Sequence, residues 1–336
     1  MTCCSQFGDM KFGVRLPQDG PFASKENIVK VAKLAEQLNY DSVWVHDHTH
    51  WPYPIKYHLS AGTKEAVDKL GNPPYLYETL VTLAYVGSIT EHVKLGTAAI
   101  IAPLRNPLLL ANQLSTLGAL TDSRMIMSFC LGGGEEASKE YEMFNVPWNR
   151  RGRIMEETLK ILREVCFEEG KKEHSFQGRI FKFDGYVMYP KCKPFPIWYA
   201  GRSEEALERA SRLADGWLPG LNQTVGRFKK DLPVLESYLK KQGRDLSKFT
   251  IGLETFVNIG NTSEEVQSAT SATFKERGIS DPSWTFCGTT KEISERLEAL
   301  KNVGVQYFEL KFMSHNLDKM LNDIRAFSSQ IVPSWT

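Results

Sequence analysis

Short apolar runs recur along the chain, and each is followed by a longer stretch whose apolar positions fall three and four residues apart. The first pattern is that of a strand buried on both faces, the second that of an amphipathic helix. Residues 11–16 (KFGVRL) open the series as a strand. Ser24 then stands where a helix cap belongs, ahead of Ile28, Val31, Ala32, Ala35 and Leu38 at helical spacing. Further strands are expected at 42–48, 93–101, 125–131, 196–200, 216–219, 249–259 and 307–313. Helices are expected at 77–89, 108–120, 135–169 with an interruption at Pro147, 203–214, 228–241, 263–277, 291–302 and 317–327.

Parallel strands need crossover connections, and a strand–helix alternation supplies them. The eight β units favour closure into a single-domain (β/α)8 TIM barrel over residues 1–336, rather than an open doubly wound sheet. The glycine turn LGGGEE (131–136) lacks the GxGxxG spacing a dinucleotide fold would want. Insertions are expected after strands two, four and seven. Residues 52–74 are polar and rich in Pro and Gly, 173–191 alternate around FDG and read as a β-hairpin, and 278–285 and 224–226 read as loops. Residues 1–9 read as a flexible N-terminus.

Composition narrows the functional classes. Lys and Arg number 41 against 40 Asp and Glu, and the net charge of +1 gives no electrostatic case for nucleic acid or a membrane surface. The six cysteines, Cys3, Cys4, Cys130, Cys166, Cys192 and Cys287, form no CxxC pair and read as reduced thiols. No apolar run has signal-peptide or membrane-spanning length, so the expected location is cytoplasmic and the expected partner a small-molecule substrate.

Candidate chemistry gathers at the ends of strands two to five, which in a barrel share the catalytic face. Residues 42–51 read SVWVHDHTHW, so an apolar strand runs into His46, Asp47, His48 and His50. Two imidazoles two residues apart share a face, as metal ligands on a strand would. A metallohydrolase needs more ligands from later strands, and His58, His92, His174 and His315 do not fall at the ends of strands four to six, so no metal site is expected. Thr97, Ala98 and Ala99 are small, and either admit a planar ligand or simply pack the barrel interior. Gly132, Gly133 and Gly134, followed by Glu135 and Glu136, permit close ligand approach or form an ordinary turn into a helix. Ala200, Gly201, Arg202 and Ser203 offer N–H groups, a guanidinium and a hydroxyl at a helix start, which suits phosphate, although Ser203 is equally an N-cap. Together they suit an extended, phosphate-bearing cofactor.

Several ordered motifs resemble the luciferase-like monooxygenase superfamily, whose barrels bind FMN or the deazaflavin coenzyme F420. They are VWVHDH (43–48), KLGTAAIIAPLRNP (94–107), EYEMFNVPWNRRGRIMEETLKILR (140–163), PIWYAGRSEEALERASRLADGW (196–217) and FCGTTKEISERL (286–297). The resemblance implies hydride transfer between F420 and a small organic substrate, with an FMNH2-dependent two-component monooxygenase as the alternative. A non-catalytic flavin-binding barrel is a further class. Asp47 and His48 match the Asp–His pair beside the reactive ring, with His48 handling a proton and Asp47 orienting it. Ala98 and Ala99 match a pair joined by a non-prolyl cis peptide that backs the ring, next to Thr97. Glu136 matches a carboxylate near the substrate, and Gly133 and Gly134 are expected against the cofactor for the close approach they allow. Gly201, Arg202 and Ser203 match the phosphate-binding segment, with Ala200 expected beside the cofactor. The family further implies a homodimer and, for some members, a separate flavin or F420 reductase. The run GGGEEAS departs from the family's usual GxG followed by an aromatic, and Trp51 stands one residue nearer Asp47 than the tryptophan of sugar-oxidising relatives. His46 and His50 fall outside the pattern.

Overall fold

The apolar runs become the eight parallel strands of the barrel, β1 (Lys11–Arg15), β2 (Ser42–Val45), β3 (Lys94–Ile101), β4 (Met125–Cys130), β5 (Ile197–Ala200), β6 (Gly216–Leu218), β7 (Thr250–Ile259) and β8 (Tyr307–Phe312), and a short extra strand at Phe286–Gly288, not expected from the sequence, pairs parallel with β7. Each barrel strand pairs with the next, and Val14 of β1 stands opposite Leu310 of β8, so the sheet closes into a TIM barrel. The computed structural model describes residues 10–20, 22–49, 75–168, 172–314 and 316–335, without the side chain of Glu136. The expected insertion at 52–74, the N-terminal nine residues, His50, Trp51, His58 and His315 lie outside the described residues.

The outer helices are α1 (Lys25–Gln37), α2 (Thr79–Gly87), α3 (Pro107–Leu120), α4 (Gly134–Met143), α5 (Arg151–Leu162), α6 (Glu204–Leu213), α7 (Val225–Lys241), α8 (Ser263–Glu276), α9 (Thr290–Asn302) and α10 (Leu317–Gln330). Ser24 caps α1 by accepting from Asn27 N, as its position implies. The break at Pro147 is present, with a 3-10 turn at Trp148–Arg150 between α4 and α5. The hairpin in the insertion after strand four pairs His174–Gln177 with Lys182–Tyr186. Residues 224–226 are not a loop: the Thr224 hydroxyl accepts from Arg227 N and starts α7 there. Among the described residues no helix is long and apolar enough to cross a membrane.

Strand two is shorter than its sequence suggests, ending at Val45 instead of His48. The Gln18 side chain explains the stop. Its amide donates to His46 O at 3.0 Å and its oxygen accepts from His46 N at 2.7 Å, so a side chain replaces the neighbouring strand.

Alternate strand residues face the barrel interior. At its N-terminal end Trp44, Trp198 and Tyr307 pack with ring centroids 5.0–5.8 Å apart. Gly96 makes room for them, because a Cβ there would stand 2.4 Å from the Trp44 ring. Gly96→Ala is therefore expected to destabilise the barrel by about 1–3 kcal/mol through overpacking, read as a lower urea midpoint. An unchanged midpoint would mean that the floor is loosely packed.

Candidate active site

Following the inward face of β2 upward from Trp44 leads to His46 and then His48, while Asp47 turns to the other side. The two rings are 5.9 Å apart. They line a cleft of about 230 Å3 at the barrel mouth with Ala98, Ala99, Cys130, Gly133, Ala200 and Glu254. A larger hollow of about 640 Å3 lies at the opposite end among Lys11, Lys94 and Trp198, away from the histidines. In barrels of this kind chemistry belongs to the C-terminal ends of the strands, so the mouth is the candidate site.

His48 is held by a carboxylate, but not by that of Asp47. Its Nδ1 lies 3.0 Å from Glu140 Oε2, on α4. The other oxygen of Glu140 accepts from Thr49 N at 2.7 Å and Thr49 Oγ1 at 2.9 Å. Burial alone would raise the Glu140 pKa, yet the hydrogen bonds from His48 and Thr49 bring it below the ordinary carboxylate value. An ionised carboxylate only accepts, so Nδ1 carries the proton and Nε2 is the atom through which proton exchange with a ligand would run.

The expected orientation of His48 by Asp47 is thus corrected, and alternation along the extended chain is the reason. Asp47 accepts from Thr79 Oγ1 (2.8 Å), Ile101 N (2.8 Å) and both guanidinium nitrogens of Arg105 (2.5 and 2.7 Å). It ties the end of β2 to the end of β3 and to the start of α2. In that place it holds the wall of the cleft instead of the imidazole.

The wall itself is β3. The Ala98–Ala99 peptide is cis, and the register with β4 shifts between Thr97 and Ile100. Thr97 is fully buried and exchanges hydrogen bonds with the backbone of Ser128, so its side chain holds β4 and does not line the cleft. Cys130 lies against Ala99 O at 3.5 Å, and burial pushes its thiol up to about 12, leaving it protonated. Gly133 faces open space, with nothing within 4 Å of where a Cβ would stand. Gly134 is the first residue of α4, and Glu136 lies in its first turn.

The segment after β5 borders the cleft through Ala200. Gly201 has φ 150°, outside ordinary L-residue space, and its carbonyl accepts from Trp217 Nε1 at 2.6 Å. Ser203 caps α6 by accepting from Ala206 N. Arg202 is exposed and donates to Leu221 O at 3.0 Å. Partial desolvation of its guanidinium first, then the nearby Arg227 guanidinium, lowers its pKa, so two cations stand close together beside a helix start.

Below the mouth runs a layer of buried and half-buried charges that sequence reasoning missed. Arg15 donates to Glu309 (2.5 Å), to Glu254 (3.1 Å) and to Ala98 O (3.4 Å). The available signal was charge inside apolar strands: Arg15 in KFGVRL, Glu254 in IGLETF, Glu309 and Lys311 in YFELKF. Glu140 shares a buried helix face with Ala137 and Tyr141, which marks a buried charge but not its partner His48. No group of three or more His, Cys, Asp or Glu able to hold a metal occurs among the described residues.

Comparison with known proteins places the chain. It is 26% identical over 260 residues to 5,10-methylenetetrahydromethanopterin reductase of Methanolobus tindarius, covering 77% of this chain and 69% of that protein. It is 28% identical over 218 residues to the F420-dependent glucose-6-phosphate dehydrogenase of Kineococcus radiotolerans, covering 63% and 58%. Among solved structures, monooxygenase RslO1 from Streptomyces bottropensis shares the fold with a TM-score of 0.78 at 17% identity, covering 97% of this chain and 100% of that one. The family model described as luciferase-like monooxygenase matches residues 10–302, and the chain belongs to that family.

Proposed function

We propose that this luciferase-like oxidoreductase transfers hydride between coenzyme F420 and a small organic substrate held at the barrel mouth, with His48 as the proton donor or acceptor. The observation that carries the reading is the His48–Glu140 pair at 3.0 Å on the lip of a cleft backed by Ala98 and Ala99. The residues fit a planar, phosphate-bearing group. Gly133 and Gly220 leave the cleft side open where any larger residue would fill it. Ala98 and Ala99 form a small flat wall, and Gly201, Arg202 and Ser203 with Arg227 offer cationic and N–H donors for the phosphate.

When bound, the deazaflavin supplies a hydride donor or acceptor; the chain supplies position and proton. Glu140 fixes the His48 ring and its tautomer. His48 Nε2 then takes or gives the proton that accompanies hydride transfer. Asp47, through Ile101 N and Arg105, keeps β3 against the ring position.

FMN is the alternative cofactor for the same cleft, and the two separate by experiment. The protein is titrated with each, with binding read by fluorescence quenching and oxygen uptake read after reduction. Tight F420 binding without oxygen uptake supports the reading. Binding of FMN alone, with oxygen consumed on reduction, would replace it with the monooxygenase. Arg202→Ala is expected to weaken F420 binding about tenfold, as loss of a charge-assisted phosphate contact would. Unchanged affinity would place the phosphate elsewhere.

A further inference from the structure

His46 has no task in the scheme above, yet it lies on the inward face of strand two, deeper than His48. It is 6% exposed, and neither ring nitrogen has a hydrogen-bond partner among the described residues. The Asp19 carboxylate faces it, with Oδ1 3.6 Å from Nδ1, too far for a hydrogen bond. Asp19 Oδ2 and Glu309 Oε2 are unpartnered as well. The ring is not orphaned by a loose backbone, because the Gln18 side chain holds both His46 peptide groups. Buried polar atoms in folded proteins are nearly always satisfied by protein, water or ligand. His46 lines the cleft with Ala98, Leu218 and Glu254, so its ring borders the space a ligand would enter.

We propose that His46, backed by Asp19, is a substrate subsite at the inner end of the cleft that hydrogen-bonds a neutral oxygen, a hydroxyl or a carbonyl. The proposal rests on the reading of the mouth as a redox site and names the substrate class for it. A neutral group fits because charges of both signs stand around the site, Arg15, Lys311 and Arg277 on one side and Asp19, Glu254 and Glu309 on the other, so no single ligand charge is called for. Burial, then the charges of Arg15 and Lys311, keeps the imidazole unprotonated. A neutral imidazole can serve either partner of an alcohol–carbonyl pair. With Nδ1–H turned to an ionised Asp19, Nε2 accepts from a hydroxyl. With a protonated Asp19 turned to Nδ1, Nε2–H donates to a carbonyl. Burial raises the Asp19 pKa, which brings both arrangements within reach.

The test uses the full chain with 15N-labelled histidine, titrated with cyclohexanol, cyclohexanone and cyclohexanecarboxylate, with and without F420. The two neutral probes are expected to shift the His46 ring resonances and to bind more tightly than the carboxylate. His46→Leu is expected to weaken them about tenfold, the value of one hydrogen bond, while His46→Gln restores most of the affinity. Equal binding to wild type and His46→Leu, an unmoved His46 resonance, or tighter binding of the carboxylate overturns the proposal. A His46→Leu protein that is only more heat-stable, with probe affinity unchanged, overturns it too. Failure of F420 to bind wild type strikes the redox reading instead, and the probes alone then still decide the subsite.

Discussion

His48→Ala is expected to slow hydride transfer by about 10²–10⁴-fold in a single turnover followed by cofactor absorbance, while leaving F420 binding nearly unchanged. The expectation follows from the geometry at Nδ1. Glu140 has no exposure and is already committed to Thr49, so it locks the ring in one tautomer. Glu140→Gln should reproduce part of the loss, because an amide can present N–H to Nδ1 and hold the wrong tautomer. Its pH–rate profile should change along with kcat, which a purely structural defect would not require. A His48→Ala protein with the wild-type single-turnover rate would remove the proton-transfer role altogether.

Asp47→Ala is expected to cost about 3–5 kcal/mol of stability, the usual result of leaving a buried charge without its partner. The Asp47 side chain is 2% exposed and that of Arg105 13%. The substitution would strand the Arg105 guanidinium with only the half-exposed Glu78 at 3.2 Å, and would leave the Ile101 amide without its acceptor. The double change Asp47→Ala with Arg105→Met should recover much of the loss, since removing both charges removes the stranded one. Chemical denaturation of the three variants gives the comparison. Equal stability of Asp47→Ala and wild type would contradict the clamp.

These two residues show how far the sequence could be read. All eight strands and the hairpin were legible because buried parallel strands and amphipathic helices write different periods into the chain. His48 was legible as a titratable side chain where an apolar strand ends. Its partner was not, because Glu140 is distant in sequence and reaches His48 only through the packing of α4 on the mouth. Adjacency favoured Asp47, and adjacency misleads in extended chain, where neighbours point apart. The early end of strand two was hidden for a similar reason, since it depends on a side-chain amide from Gln18. Thr97 looked like part of a ligand wall by size, whereas its hydroxyl is spent on Ser128. The charges Arg15, Glu254 and Glu309 were visible as letters, but only barrel closure brings their strands together.

The account turns on where the cofactor ring lies relative to His48. Crystals of the protein with F420 measure this directly. The account predicts the ring against Ala98 and Ala99, His48 Nε2 facing its reactive carbon, and phosphate at Gly201, Arg202 and Ser203. Density for the ring away from the His48–Glu140 pair, or for F420 nowhere at the mouth, would contradict it.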